Sequence, residues 1–135
     1  MLFKIVLFFG LVMGGIVFMH RCLNDRRFLA FCDTHPQPAV MPKVLYTVGQ
    51  SYALFQNLSE AATYYYRVGA QYPQSSEAEN AAYFYLQAED DLKAMPPEAL
   101  TPAYQKYLDR FPAGVHAEAA RSRLSSLQVT SPTPS

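Results

Sequence analysis

The chain has 135 residues, with 11 Lys and Arg against 11 Asp and Glu, three His, two Cys and no Trp. That length fits one small domain with an appended segment and excludes a two-domain enzyme. Zero net charge argues against a nucleic-acid binder, which needs surplus cations for phosphates. A hydrophobic fraction of 50% excludes a disordered chain. Two cysteines are too few for a disulfide-rich scaffold or a four-cysteine zinc module.

Residues 1–19, MLFKIVLFFGLVMGGIVFM, hold fifteen apolar residues, three glycines and a single charge, Lys4. They contain both isoleucines of the chain and none of its seventeen alanines. Eighteen helical residues reach roughly 27 Å at about 1.5 Å each, close to the ~30 Å hydrocarbon core of a bilayer. The composition therefore predicts an uncleaved transmembrane helix that contacts membrane lipid. A cleaved secretory signal with Lys4 as its basic end is the competing reading, and no small-x-small site follows Met19 to support it. Lys4 on one flank and Arg21, Arg26 and Arg27 on the other nearly balance, with a slight lean to a cytoplasmic C-terminus. Gly10 and Gly14 form a GxxxG pattern that lets helices approach closely, although glycine is common in membrane helices in general.

Residues 20–41 read as a juxtamembrane segment and spacer. His20, Cys22, Cys32 and His35 make an incomplete ligand set without the CxxC pairs of a zinc site, so no metal or other cofactor is expected. Cys22 and Cys32 can form a disulfide in an oxidising compartment and stay thiols elsewhere. Pro36, Pro38 and Pro42 predict a stiff extended spacer.

Residues 42–127 contain no isoleucine and are rich in Ala, Leu, Tyr, Gln and Glu, a helical composition. Turn signals at Asn57-Leu58-Ser59, Tyr72-Pro73-Gln74-Ser75, Met95-Pro96-Pro97 and Phe111-Pro112-Ala113-Gly114 divide them. The predicted helices are 43–56, 59–72, 76–94, 98–111 and 115–127, followed by a disordered tail over 128–135. Ser76-x-x-Glu79 reads as a capping box, and Pro102 is expected near the first turn of its helix. Tyr65 with Pro73 and Tyr104 with Pro112 recur 39 residues apart, each tyrosine eight residues before its proline. SEAATYYYRVGAQYPQSSEA and LTPAYQKYLDRFPAGVHAEA are two versions of one helix-turn-helix unit.

At these residues the chain resembles the tetratricopeptide repeat family, built from helical hairpins of about 34 residues. Leu45, Val48, Gly49 and Tyr52 match the pattern of the first helix of a hairpin, and Ala61, Tyr65 and Pro73 that of the second. The second unit, 76–112, is looser: Leu86-Gln87 stands where Leu-Gly is usual, and Asp90 takes the place of the tyrosine. YPQSSEA and KYLDRFPAGVHAEAA resemble the bacterial cell-envelope branch, which includes the Tol–Pal coordinator and an outer-membrane assembly lipoprotein. The fold class expected is all-α, a transmembrane helix followed by two hairpins and a capping helix. Ala117, Ala120, Leu124 and Leu127 form the apolar face of that last helix. The resemblance and the two cysteines together favour a bacterial inner-membrane protein with a periplasmic C-terminal domain.

Repeats of this kind bind peptides or helices in the groove between their first helices, and the resemblance assigns Lys43, Tyr46, Gln50, Leu54, Phe84, Asp91 and Leu92 to it. Tyr46 and Gln50 replace the lysine and asparagine with which chaperone-binding members grip a carboxylate, so an apolar or aromatic anchor is expected. Each of the triplets Tyr64-Tyr65-Tyr66 and Tyr83-Phe84-Tyr85 must leave at least one ring exposed or bound, since three consecutive helix positions share no face. Glu89-Asp90-Asp91 reads as a solvated helix end, and His116 stands alone beside a turn. With no phosphate loop or nucleophile–base pair, the expected function is a membrane-tethered protein–protein adaptor or accessory subunit, not an enzyme. A single-pass subunit whose membrane helix packs within a complex is the structural alternative, and a juxtamembrane metal or redox site at His20, Cys22, Cys32 and His35 is a third. A protein of about 85 residues with five helices is close to the minimum that stands alone, which favours a partner or a homo-oligomer. Residues 1–41 carry four basic and two acidic residues and 42–135 carry seven and nine, so the zero net charge is the sum of +2 and −2.

Overall fold

The structure is a computed structural model that describes residues 2–24 and 27–130, the backbone alone at 2, 3, 19, 20 and 22–24. The described residues are helical throughout, with no strand. The chain divides into two units, Met1–Gln37 and Pro38–Ser135.

The first unit contains α1 (Leu2–Asn24) and α2 (Arg27–Thr34). Among the described residues no helix is long and apolar enough to cross a membrane. This corrects the transmembrane helix expected over 1–19 and the single-pass, inner-membrane placement with a periplasmic domain. The expected spacer also differs: α2 occupies part of it, with Leu29 and Cys32 buried. Among its described residues only 35–40 are non-helical, and Pro42 sits buried in the first turn of the next helix, where its missing N–H costs nothing. The side chains of His20 and Cys22 lie outside the described residues, as does the Cys22–Cys32 pairing, and residues 131–135 of the tail lie outside as well.

The second unit is α3 (Met41–Leu54), α4 (Leu58–Gln71), α5 (Ala78–Asp91), α6 (Pro97–Arg110) and α7 (Ala117–Thr130), each of 14 residues. They form repeated helical hairpins, α3–α4 and α5–α6, with α7 packed on α6. The repetition is visible in the turns. α3 ends with Gln56 at φ 61° and α5 with Lys93 at φ 55°. In both, the next amide reaches back five residues, Asn57 N–H to Tyr52 C=O at 2.9 Å and Ala94 N–H to Glu89 C=O at 3.0 Å. This is the left-handed Schellman ending of a helix. The turns after the second helices match as well, Tyr72 at φ −130°, ψ 56° and Phe111 at φ −128°, ψ 61°. Ser75 N–H donates to Tyr72 C=O at 3.0 Å as Gly114 N–H does to Phe111 C=O at 3.2 Å. The first pair of turns is 37 residues apart and the second 39, so the α5–α6 loop carries the two extra residues.

Two local expectations are corrected. Glu77, not Ser76, occupies the N-cap of α5 with no side-chain cap, because Glu79 is drawn across to Tyr107 and His116. Pro102 lies inside α6, a turn beyond its start, because the helix begins at Pro97.

The core of the first hairpin contains Leu45, Tyr52, Ala61, Tyr64, Tyr65 and Val68. Gly49 is buried where α3 crosses α4; a Cβ there would lie 2.8 Å from Tyr65 Cε1. Val48 is half-buried, and Pro73 and Pro112 sit exposed in the turns. The second cluster joins Leu86, Leu100, Tyr104, Tyr107 and Leu108 to Ala117, Ala120, Leu124 and Leu127. Of the tyrosine triplet on α4, Tyr64 and Tyr65 are buried and Tyr66 is exposed; all three rings of the α5 triplet are half-buried.

Adjacent residues of the α3–α4 turn should respond oppositely to substitution. Gln56→Gly relieves a left-handed backbone and should raise stability by about 0.5 kcal/mol. Asn57 Oδ1 accepts from Glu60 N–H at 3.3 Å, capping α4, so Asn57→Ala should lower stability by about 1 kcal/mol. Urea unfolding of the full chain reads both.

Candidate partner-binding groove

Helical spacing places Tyr46, Gln50 and Leu54 on one side of α3, and Phe84 and Gln87 face them from α5. Tyr65 of α4 rises between the two helices as a floor. Its ring centroid lies 5.8 Å from those of both Tyr46 and Phe84, and these two are 6.4 Å apart, all at tilted angles. Aromatic rings at such separations attract through their quadrupoles as well as through buried area. Gln50 Nε2 donates to Tyr46 Oη at 2.6 Å across one helical turn. Beside these rings lies an open cavity of about 490 Å³, lined by Thr47, Gln50, Ser51, Leu54, Phe84 and Gln87 around Tyr65. No lining residue is charged. Burial pushes the Tyr65 hydroxyl up to about 12, and Tyr46 is raised too, mainly by burial with a counteracting bond from Gln50. Both therefore remain neutral donors or acceptors at ordinary pH.

Four of the seven residues assigned to the groove come together here: Tyr46, Gln50, Leu54 and Phe84. Lys43 is exposed on the first turn of α3, away from the cavity lining. Asp91 lines a separate cavity of about 200 Å³ with Tyr83, Gln87 and Arg123, and Leu92 is exposed as the C-cap of α5. Thr47, Ser51 and Gln87 were missed, although each lies three or four positions from an assigned residue and so on the same helix face.

Two further corrections concern charge. Asp90 is not a solvated helix end: it is 6% exposed and paired with Arg123 of α7. Arg123 Nε donates to Oδ2 at 2.6 Å and Nη2 to Oδ1 at 2.8 Å, a two-pronged geometry. Tyr104 Oη approaches Oδ2 at 3.5 Å, so one carboxylate ties α5, α6 and α7. The Arg123 hydrogen bonds hold the Asp90 carboxyl below its ordinary range against the opposing effect of burial. His116 is not alone. It stacks on Tyr83 at 4.3 Å and 4°, meets Phe84 edge-on at 5.1 Å, and Nε2 is 2.9 Å from Asn80 Oδ1. The α6–α7 turn thus braces the back of the groove ring Phe84. At the other end of the chain His35 bonds within its own turn, Nδ1 lying 3.0 Å from Thr34 Oγ1. Among the described residues no three His, Cys, Asp or Glu side chains gather as a metal site.

No family model matches the chain, and no curated protein matches it either.

Because the folded value of Asp90 is depressed, its contribution is present above the ordinary carboxylate range and lost as pH falls through the folded value. Asp90→Asn should cost about 1–2 kcal/mol at pH 7, less than for a fully buried pair because the Arg123 side chain is 39% exposed. The gap between variant and wild type should narrow as pH falls below the ordinary carboxylate range, as read from urea midpoints.

Proposed function

We propose that the second unit is a tetratricopeptide-like interaction module, an adaptor that holds a protein partner by an apolar or aromatic side chain in the groove between α3 and α5. The observation that carries this reading is the three-ring platform of Tyr46, Tyr65 and Phe84 beside an uncharged open cavity. Rings already packed against one another lose little freedom when a further apolar group is added, which favours them as anchors. Leu54, 77% exposed at the rim, offers apolar area that the fold itself does not use. The amides of Gln50 and Gln87 supply donors and acceptors suited to a peptide backbone without adding charge.

The family resemblance is proposed on the same ground. Gly49 and Ala61 sit at the close crossing, Leu45, Tyr52 and Tyr65 are buried around it, and two hairpins repeat with matching turns. A binding role fits uncharged, ring-lined walls better than acid–base or nucleophilic chemistry, which requires a paired base or a perturbed nucleophile in the cavity.

Leu54→Lys tests the groove with little risk to the fold, since an exposed surface substitution usually changes stability by less than about 0.5 kcal/mol. Tagged full-length wild type and variant are compared by quantitative affinity purification under identical conditions. The wild type should retain a protein whose recovery falls at least about tenfold with Leu54→Lys, equivalent to about 1.4 kcal/mol. Equal recovery of every retained protein by the two chains would contradict the groove.

A further inference from the structure

The face opposite the groove carries a second cleft. α4 and α6 both pack against α5 and make little contact with each other, leaving an opening floored by Ala82, Tyr85 and Leu86 of α5. Its volume is about 390 Å³. Small residues create it: Gly69 and Ala70 on α4 and Ala103 on α6 stand where longer side chains would close the gap. A Cβ on Gly69 would meet nothing within 4 Å. The walls are apolar. Tyr66, 59% exposed, leans on Tyr85 with centroids 5.5 Å apart, and Met95 and Phe111 mark the two ends. Along α6 the lining runs from Ala103 to Arg110, two turns or roughly 11 Å at about 1.5 Å per residue.

Its charge is one-sided. Lys106 and Arg110, one turn apart on α6, are the only charged residues lining it. Arg110 is held in place by donating Nη2 to Pro73 C=O at 2.6 Å and by lying 4.9 Å over the Phe111 ring. Lys106 is exposed and has no acidic partner among the described residues. Glu79 accepts from the Tyr107 hydroxyl at 3.2 Å and Glu89 acts on Tyr85, but neither carboxylate lines the cleft.

We propose that this cleft docks an acidic amphipathic helix of a protein partner. Its apolar stripe would lie on the Tyr66–Tyr85 and Met95–Phe111 walls, and its carboxylates would meet Lys106 and Arg110. Two flanking helices with a narrow gap form the shape into which a third helix packs, ridge into groove. Two turns of lining along α6 match two turns of a docked helix, and the cationic wall selects acidic sequences over basic ones. The cleft shares Tyr65 with the α3–α5 groove, but Gly69 and Lys106 line the cleft alone and Leu54 the groove alone, so substitutions at these three positions test the two surfaces independently.

The test uses a displayed library of amphipathic helical peptides of about four turns, with charges randomised beside a leucine stripe and selected on the immobilised full chain. Each enriched peptide is then measured against Gly69→Leu, which fills the cleft, Lys106→Glu, which reverses its charge, and Leu54→Lys in the opposite groove. Enriched sequences should be rich in Asp and Glu. They should weaken at least tenfold with Gly69→Leu and with Lys106→Glu, and stay within twofold with Leu54→Lys. Gly69→Leu should leave the thermal midpoint unchanged or higher, since leucine favours a helix and the space is open. Absence of any peptide sensitive to Gly69→Leu would overturn the proposal, and so would enrichment of basic or uncharged sequences. Sedimentation supplies the remaining alternative: a wild-type dimer converted to monomer by Gly69→Leu would assign the cleft to a second copy of the chain and overturn the helix-docking reading.

Discussion

The close crossing of α3 and α4 at Gly49 is the constraint on which the rest of the second unit depends. With no side chain there, the Tyr65 ring slides against the α3 backbone, and a Cβ would lie within 2.8 Å of it. Overpacking of that kind costs about 1–3 kcal/mol because a crowded interior cannot give way freely. The same ring that closes the hairpin also forms the groove floor. Tyr46 leans on it from α3 and Phe84 from α5, and His116 supports Phe84 from behind. Stability of the hairpin and shape of the groove are therefore two consequences of one contact.

The second hairpin is held by a different balance of forces. Its loop is two residues longer than that of the first, and α5 and α6 touch less than α3 and α4 do. Polar ties make up part of the difference. Asp90 binds Arg123 and approaches Tyr104, while Glu79 accepts from Tyr107 Oη at 3.2 Å and from the His116 amide at 3.4 Å. A Cβ on Gly114 would meet the Glu79 carboxylate, so a side chain there would push Glu79 off its partners. Such ties specify where α7 sits more than they add net stability, since each charge must first give up water. The loosened α6 also leaves the cleft against α4 open on the other face.

Much of the helical pattern was legible in the sequence because it rests on local signals. The Tyr-Pro and Phe-Pro turns, the absence of isoleucine and the spacing of alanines place five helices within a few residues of their observed bounds. Helical periodicity likewise brought Gln50, Leu54 and Phe84 to one cavity and Tyr46 to the rings beside it. Asp90 misled because an acidic triplet looks solvated, whereas its partner Arg123 is 33 residues away and carries no local sign of the pairing. His116 misled for the same reason, its contacts being with Asn80, Tyr83 and Phe84 of a different helix. Ser76-x-x-Glu79 failed as a cap because a tertiary demand on Glu79 outweighed the local one. The N-terminal apolar run misled through composition, since among the described residues no helix is long and apolar enough to cross a membrane.

A double-mutant cycle between Gly49 and Tyr65 bears most directly on this arrangement. Unfolding free energies of the full chain are measured for Gly49→Ala, Tyr65→Leu and the double variant. Gly49→Ala should cost about 1–3 kcal/mol beside tyrosine and should become neutral or stabilising beside leucine, a coupling of at least about 1 kcal/mol. An equal cost of Gly49→Ala in both backgrounds would contradict the crossing as the point on which hairpin and groove depend.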